Sequence, residues 1–278
     1  MGNLRAPRRD SDVDAARTIY WFHWLGLRRG TLIPREIQRA IAPETLDLGG
    51  DGRHIRNNKF LGYQRGDHVP HATLVQLAEE VVPRSVRAVN HPIWKVLRAK
   101  GPIRKNARQW IYELDREIQT VVLGPFNEIT DGASRHTLGA LERRASLDSL
   151  AALTILLRLR HEENEPEWVW LYAQSIFRVL LMIGPHLEEY GVADRVFQLY
   201  VERVFSLAVL NKQRMDPANY QYVQFAHLLA ELIDRMRSKD SQSKNRRMPT
   251  FYAIQILDGR YQQAFKEYFQ IPVVSTEE

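Results

Sequence analysis

Apolar side chains recur at intervals of three and four residues along nearly the whole chain, and no stretch alternates apolar and polar over a strand's length. That period places one face of a helix on a core, so the chain is predicted to be all-α. Residues 13–27 bring Ala16, Ile19, Tyr20, Phe22 and Trp24 into such a pattern and close at Gly30. Thr31 opens the next helix, with Pro34 in its first turn, and Pro43 ends it. A single helix over 105–122 then joins two halves. Gly124-Pro125, Gly132-Ala133-Ser134 and Gly139 mark a looser stretch, so a linker is placed at 123–139 between an N-terminal part, 1–122, and a C-terminal part, 140–278.

In the C-terminal part a helix starts at Ser146, paired with Ser149, and ends near His161. Others are predicted over 167–183, stopped by Gly184-Pro185, and over 192–210, 217–236 and 249–269, the last interrupted at Asp258-Gly259. Residues 237–247 read as an exposed basic loop. Helices of this length on short connections form an antiparallel bundle, and no fixed-period repeat argues for a solenoid.

With 44% hydrophobic and 26% charged residues, the 278-residue chain can bury a core and is not disordered. It has no cysteine, which excludes disulfides, a thiolate nucleophile and thiolate-held zinc or iron–sulfur centres. Residues 1–10 lack the apolar core of a signal peptide, and apolar runs such as 179–183 are far too short to span a bilayer. A soluble, cytoplasmic protein without membrane contact is expected.

The net charge of +6 is unevenly spread. Residues 1–110 hold 20 Lys and Arg against 10 Asp and Glu, whereas 111–278 hold 19 against 23. Between 81 and 112 lie eight basic residues, Arg84, Arg87, Lys95, Arg98, Lys100, Arg104, Lys105 and Arg108, and no acidic one. A field of this kind attracts a polyanion, and counterion release then favours binding, so nucleic acid is the first partner to consider. Lys95, Arg98, Lys100, Arg104, Lys105 and Arg108 are the candidate phosphate contacts. The alternatives are that they dock on the acidic C-terminal half, bind an acidic protein or face solvent. Trp94 and Trp110, set among these cations, are read as core anchors in preference to base-stacking platforms.

Residues 57–80 carry a further pattern. Tyr63, Gly66, Pro70, Thr73, Leu74, Leu77 and Ala78 follow an aromatic, two residues, Gly, three residues and Pro, then a Thr-Leu-x-x-Leu-Ala helix. Here the chain resembles the lambda-repressor-like, or XRE-type, helix-turn-helix family. That resemblance implies duplex-DNA binding, with Asn57, Asn58, Lys59 and Gln64 at bases or phosphates and Arg56 and Arg65 at phosphates. Where the family has a short turn, this chain has the long Gly-rich stretch 42–54. The alternative is a core element of the same shape that meets no DNA.

Signals for chemistry are sparse. His161-Glu162-Glu163 lacks the second His of a zinc helix, and no calcium loop or nucleophile elbow occurs. Arg17 and His23 resemble the Arg-x(4–6)-His spacing of HEPN-type ribonucleases, although packing roles within an aromatic helix are preferred. No catalytic residue, metal ligand or cofactor is assigned. The expectation is a DNA-binding transcriptional regulator with a helical association or sensing part, acting as a homodimer. The rival reading is a helical adaptor subunit of a nucleic-acid-processing or defence assembly, whose basic face binds RNA or an acidic protein partner.

Overall fold

The computed structural model describes residues 11–45, 59–124, 126, 128–129, 135–240, 248–261 and 263–276. The N-terminal part holds α1 (Ser11–Arg29), α2 (Pro34–Ile41), α3 (Lys59–Arg65), α4 (Ala72–Val81), α5 (Ser85–Asn90), α6 (Pro92–Arg98), α7 (Arg104–Tyr112) and α8 (Arg116–Val122). The C-terminal part holds α9 (Arg135–Arg144), α10 (Leu147–Glu162), α11 (Pro166–Glu189), α12 (Ala193–Arg203), α13 (Tyr222–Asp240), α14 (Pro249–Leu257) and α15 (Gln263–Tyr268). The fold is all-α but for one small antiparallel sheet, in which β1 (Val209–Leu210), β2 (Gln213–Met215) and β3 (Val273–Ser275) lie in that order.

α10 is the central element, and its sequence explains why. Apolar residues fall on all its faces, and from Leu147 to Arg160 only Arg158 is not buried. A helix without a polar face must be covered on every side, and α6, α8, α9 and α11 all pack against it. At the predicted start of this helix Ser146 and Ser149 form a capping box, each side chain meeting the other's backbone N–H. Inside, the Thr154 hydroxyl donates to the Leu150 carbonyl and sits 2.8 Å from the Tyr200 hydroxyl, so the buried polar atoms are satisfied. α1 reaches across to α12, and one hydrophobic core runs through both parts of the chain. The division expected at 123–139 is therefore one of charge and sequence, since the helices on either side share their packing.

Several helix limits differ from expectation. The helix expected over 105–122 is two, α7 and α8, because the Asp115 backbone N–H points out of the helical ladder and donates to the Asp148 carboxylate of α10 at 3.0 Å. Gly184-Pro185 does not stop α11, which continues to Glu189. A Cβ on Gly184 would clash with Ala226, so this glycine lets α13 cross closely. In the turn that Pro185 disturbs, the Leu180 carbonyl accepts from the Tyr222 hydroxyl at 2.9 Å. α12 ends at Arg203 rather than running to residue 210, because a 3-10 turn and a hairpin follow. Asn211 and Lys212 take φ of 50° and 60° there, the left-handed pair that a two-residue hairpin turn requires. α13 begins five residues later than predicted and absorbs residues 237–240 of the expected loop; residues 241–247 lie outside the described residues. The predicted break at Asp258-Gly259 separates α14 from α15.

Candidate functional site

The basic run folds into α5, α6 and α7, and its charges separate into held and open ones. Lys95 pairs with Glu113, and Arg98 pairs with Asp14 of α1. Arg104 meets Glu163 at 2.7 Å, and Arg108 lies 5.7 Å over the Tyr112 ring. Partners thus come from Asp14 and from Glu113 just past the run, as well as from the acidic C-terminal part. Lys100 and Lys105 are exposed and make no ion pair among the described residues.

Lys100, Arg104 and Lys105 are brought together on the wall of an open groove of about 1370 Å³, formed where the loop from α6 to α7 meets the C-terminal ends of α10 and α12. Lys95, Arg98 and Arg108 do not line it. Two cations that the sequence reading passed over complete it: Arg158, on α10, and Arg203, in the last turn of α12. Arg158 donates to the carbonyls of Ala99 at 2.6 Å and Gly101 at 2.9 Å, and Arg203 donates to that of Leu97 at 3.0 Å. These carbonyls belong to the end of α6 and the loop after it, where helical partners run out, and a cation suits a helix C-terminus. Burial pushes the Arg158 guanidinium below its usual value, while the charge of Glu162 pulls it back up. The available signal was Arg158 itself, which with Arg160 interrupts the apolar run of α10.

Two carboxylates also line the groove. Glu162 is engaged, accepting the Ile103 backbone N–H at 2.6 Å at the start of α7. Glu202 has no side-chain partner among the described residues. Among the described residues five cations line the groove with two carboxylates, one of them committed to a backbone N–H; Arg104 is paired with Glu163, and Arg203 lies 4.0 Å from Asp12.

A second cluster, at the other end of α6, is closed. Asp148 accepts from Arg87 at 2.8 Å and from the Asp115 N–H at 3.0 Å, and the His91 Nε2 is 3.5 Å away. His91 Nδ1 accepts the Ile93 N–H, so the ring proton sits on Nε2, facing Asp148. Burial pushes the Asp148 carboxyl up, but His91, Arg87 and the Asp115 N–H outweigh it and hold the group down at about 2. Arg87 also binds Asp115 at 2.6 Å. The cluster joins three elements around the buried Asp148, and only its Arg87–Asp115 pair reaches solvent.

The helix-turn-helix candidates fall elsewhere. Arg56, Asn57 and Asn58 lie outside the described residues. On α3, Lys59 and Arg65 are exposed, whereas the Gln64 amide donates to the Leu32 carbonyl at 3.4 Å. Phe60 and Tyr63 are buried, the latter edge-on to Trp21. Gly66 ends α3 with φ of 80° and packs on Ala15. In α4, Leu74 and Ala78 turn inward and Leu77 is half-buried, and His71 caps the helix, accepting the Leu74 N–H at 3.2 Å. Trp94 is a core anchor whose indole N–H donates to the Ala88 carbonyl at 3.0 Å, and Trp110 is half-buried against the same core. Arg17 and His23 share no site: Arg17 leans on Asp14, while His23 Nδ1 lies 3.3 Å from the Glu189 carbonyl.

No family model, curated protein or solved structure matches this chain. Among the described residues no three His, Cys, Asp or Glu side chains converge as a metal site requires, and no helix is long and apolar enough to cross a membrane.

Proposed function

We propose that this chain is a soluble, cytoplasmic nucleic-acid-binding protein that holds a phosphate backbone in the groove at the end of α6. The observation that carries this reading is the convergence of Lys100, Arg104, Lys105, Arg158 and Arg203 on one open concavity. Lys100 and Lys105 are without ion pairs among the described residues, Arg158 is directed there by backbone carbonyls, which leave its charge uncancelled, and Arg203 is held by the Leu97 carbonyl and lies 4.0 Å from Asp12. Phosphate is the anion such a surface meets at regular spacing, and release of its counterions supplies affinity. The test is fluorescence anisotropy with labelled oligonucleotides and the full chain. Binding that falls as salt rises, and that Lys100→Glu with Lys105→Glu weakens by about tenfold or more, is expected. Unchanged binding by that variant would remove the groove from the function.

A second reading assigns sequence-specific duplex-DNA binding and transcriptional control to α3, presented twice by a two-fold dimer. Its favouring observation is that α3, the Gly66 turn and α4 keep Lys59 and Arg65 exposed while Tyr63 and Leu74 enter the core. Lys59→Ala with Arg65→Ala would then weaken binding to a preferred duplex, and the groove variant would not.

A further inference from the structure

We infer that the groove takes a single nucleic-acid strand by its backbone, without reading bases, an inference that rests on the nucleic-acid reading above. The shape argues first. Duplex DNA is read by an element that stands proud of the protein and enters a groove about 12 Å wide, whereas here the cations lie on the walls and floor of a concavity. At about 1370 Å³ and open to solvent, the groove is also larger than the roughly 300–1,000 Å³ that encloses a small molecule, so a polymer segment suits it better than a free nucleotide.

The lining supplies the second argument. Arg158 and Arg203 are fixed by three carbonyls of residues 97–101, so their charges are positioned before a ligand arrives. Lys100 and Lys105 stand on the exposed rim, where they can follow a moving strand. Among the described residues no Phe, Tyr or Trp lines the groove, whose apolar contribution comes from Leu97, Ala99, Pro102 and Leu207 and whose one ring is the His161 imidazole. The two tryptophans of the basic run face the core instead. With a single imidazole, His161, and a single amide, Asn164, against five cations in the lining, contact falls mainly on phosphate and sugar, which every strand presents alike. Glu202 adds one negative charge beside Arg203, which favours a strand that presents few phosphates to this wall over the dense charge of a duplex.

The experiment is a competition with the full chain, using a labelled oligothymidylate as probe and unlabelled single strands of other sequences, and their duplex, as competitors. Single strands of unrelated sequence are expected to compete within about threefold of one another, and the duplex at least about tenfold more weakly. Lys100→Glu with Lys105→Glu should weaken binding of the probe by about tenfold or more, and both positions are exposed, so the thermal midpoint should not move. A duplex that competes better than single strands, a strong preference among single strands, or probe binding unaffected by the variant would each overturn the inference while leaving nucleic-acid binding in place. No binding to any of the nucleic acids would overturn both.

Discussion

α6 has a charged cluster at each end, and the two differ in how their charge is answered. At its start, Asp148 and His91 are buried, and Asp148 is answered by Arg87, by the Asp115 N–H and by the facing His91 ring, while the Arg87–Asp115 pair reaches solvent. At its end, Lys100, Lys105, Arg158 and Arg203 collect around a groove with one uncommitted carboxylate. A buried ion costs desolvation free energy, so the Asp148 carboxylate must have its partners to be tolerated. The second remains hydrated and can stay unbalanced until an anion arrives. Residues that look alike in the sequence, Arg87 and Lys100 for example, thus belong to a joint and to a binding surface respectively.

The widest separation between the clusters is expected from stability measurements. Asp148→Ala leaves Arg87 with one partner, removes the carboxylate that faces His91 Nε2 and orphans the Asp115 N–H, and should lower unfolding free energy in urea by about 3 kcal/mol. Oligonucleotide binding by the folded variant should not change.

The same carboxylate makes the first cluster sensitive to acid. Its value falls from 3.8 to about 2 on folding, so its stabilisation is complete above about pH 4 and is lost as pH drops toward 2, amounting to about 2 kcal/mol. Urea unfolding across that range should show the loss in the parent and a flatter profile in Asp148→Ala.

Arg158→Ala probes the point where structure and binding overlap. It removes the donor from the Ala99 and Gly101 carbonyls and should cost roughly 1–2 kcal/mol by urea unfolding, while also weakening nucleic-acid binding. Lys100→Ala and Lys105→Ala close the series: each should change stability by less than about 0.5 kcal/mol, since neither makes an ion pair among the described residues. A large loss from either lysine would mean that the second cluster, too, is a joint.

Much of the fold was legible. Ser146 with Ser149 marked the start of α10, and Gly66 marked the end of α3, because caps are local events written in adjacent residues. Gly184-Pro185 misled because its meaning is tertiary: the glycine makes room for Ala226 on a helix far along the chain. The break between α7 and α8 was hidden for the same reason, since Asp115 leaves the helix to meet Asp148. The sheet escaped notice because strands of two or three residues are too short to show alternation. At the candidate site, the basic run announced a positive field but not its division. Whether Lys95 pairs with Glu113 or Lys100 stays open depends on the turn after α6, and Arg158 and Arg203 arrive from helices outside the run.

The salt dependence of binding tests the central claim most directly. The logarithm of affinity for an oligothymidylate, plotted against the logarithm of salt concentration, should fall linearly for the full chain. Lys100→Ala with Lys105→Ala should reduce that slope by about 1.4, two phosphate contacts at roughly 0.7 each for a single strand. Arg108→Ala, which removes a cation held over Tyr112 outside the groove, should leave it unchanged. Equal slopes for parent and double variant, or a drop for Arg108→Ala alone, would contradict the account.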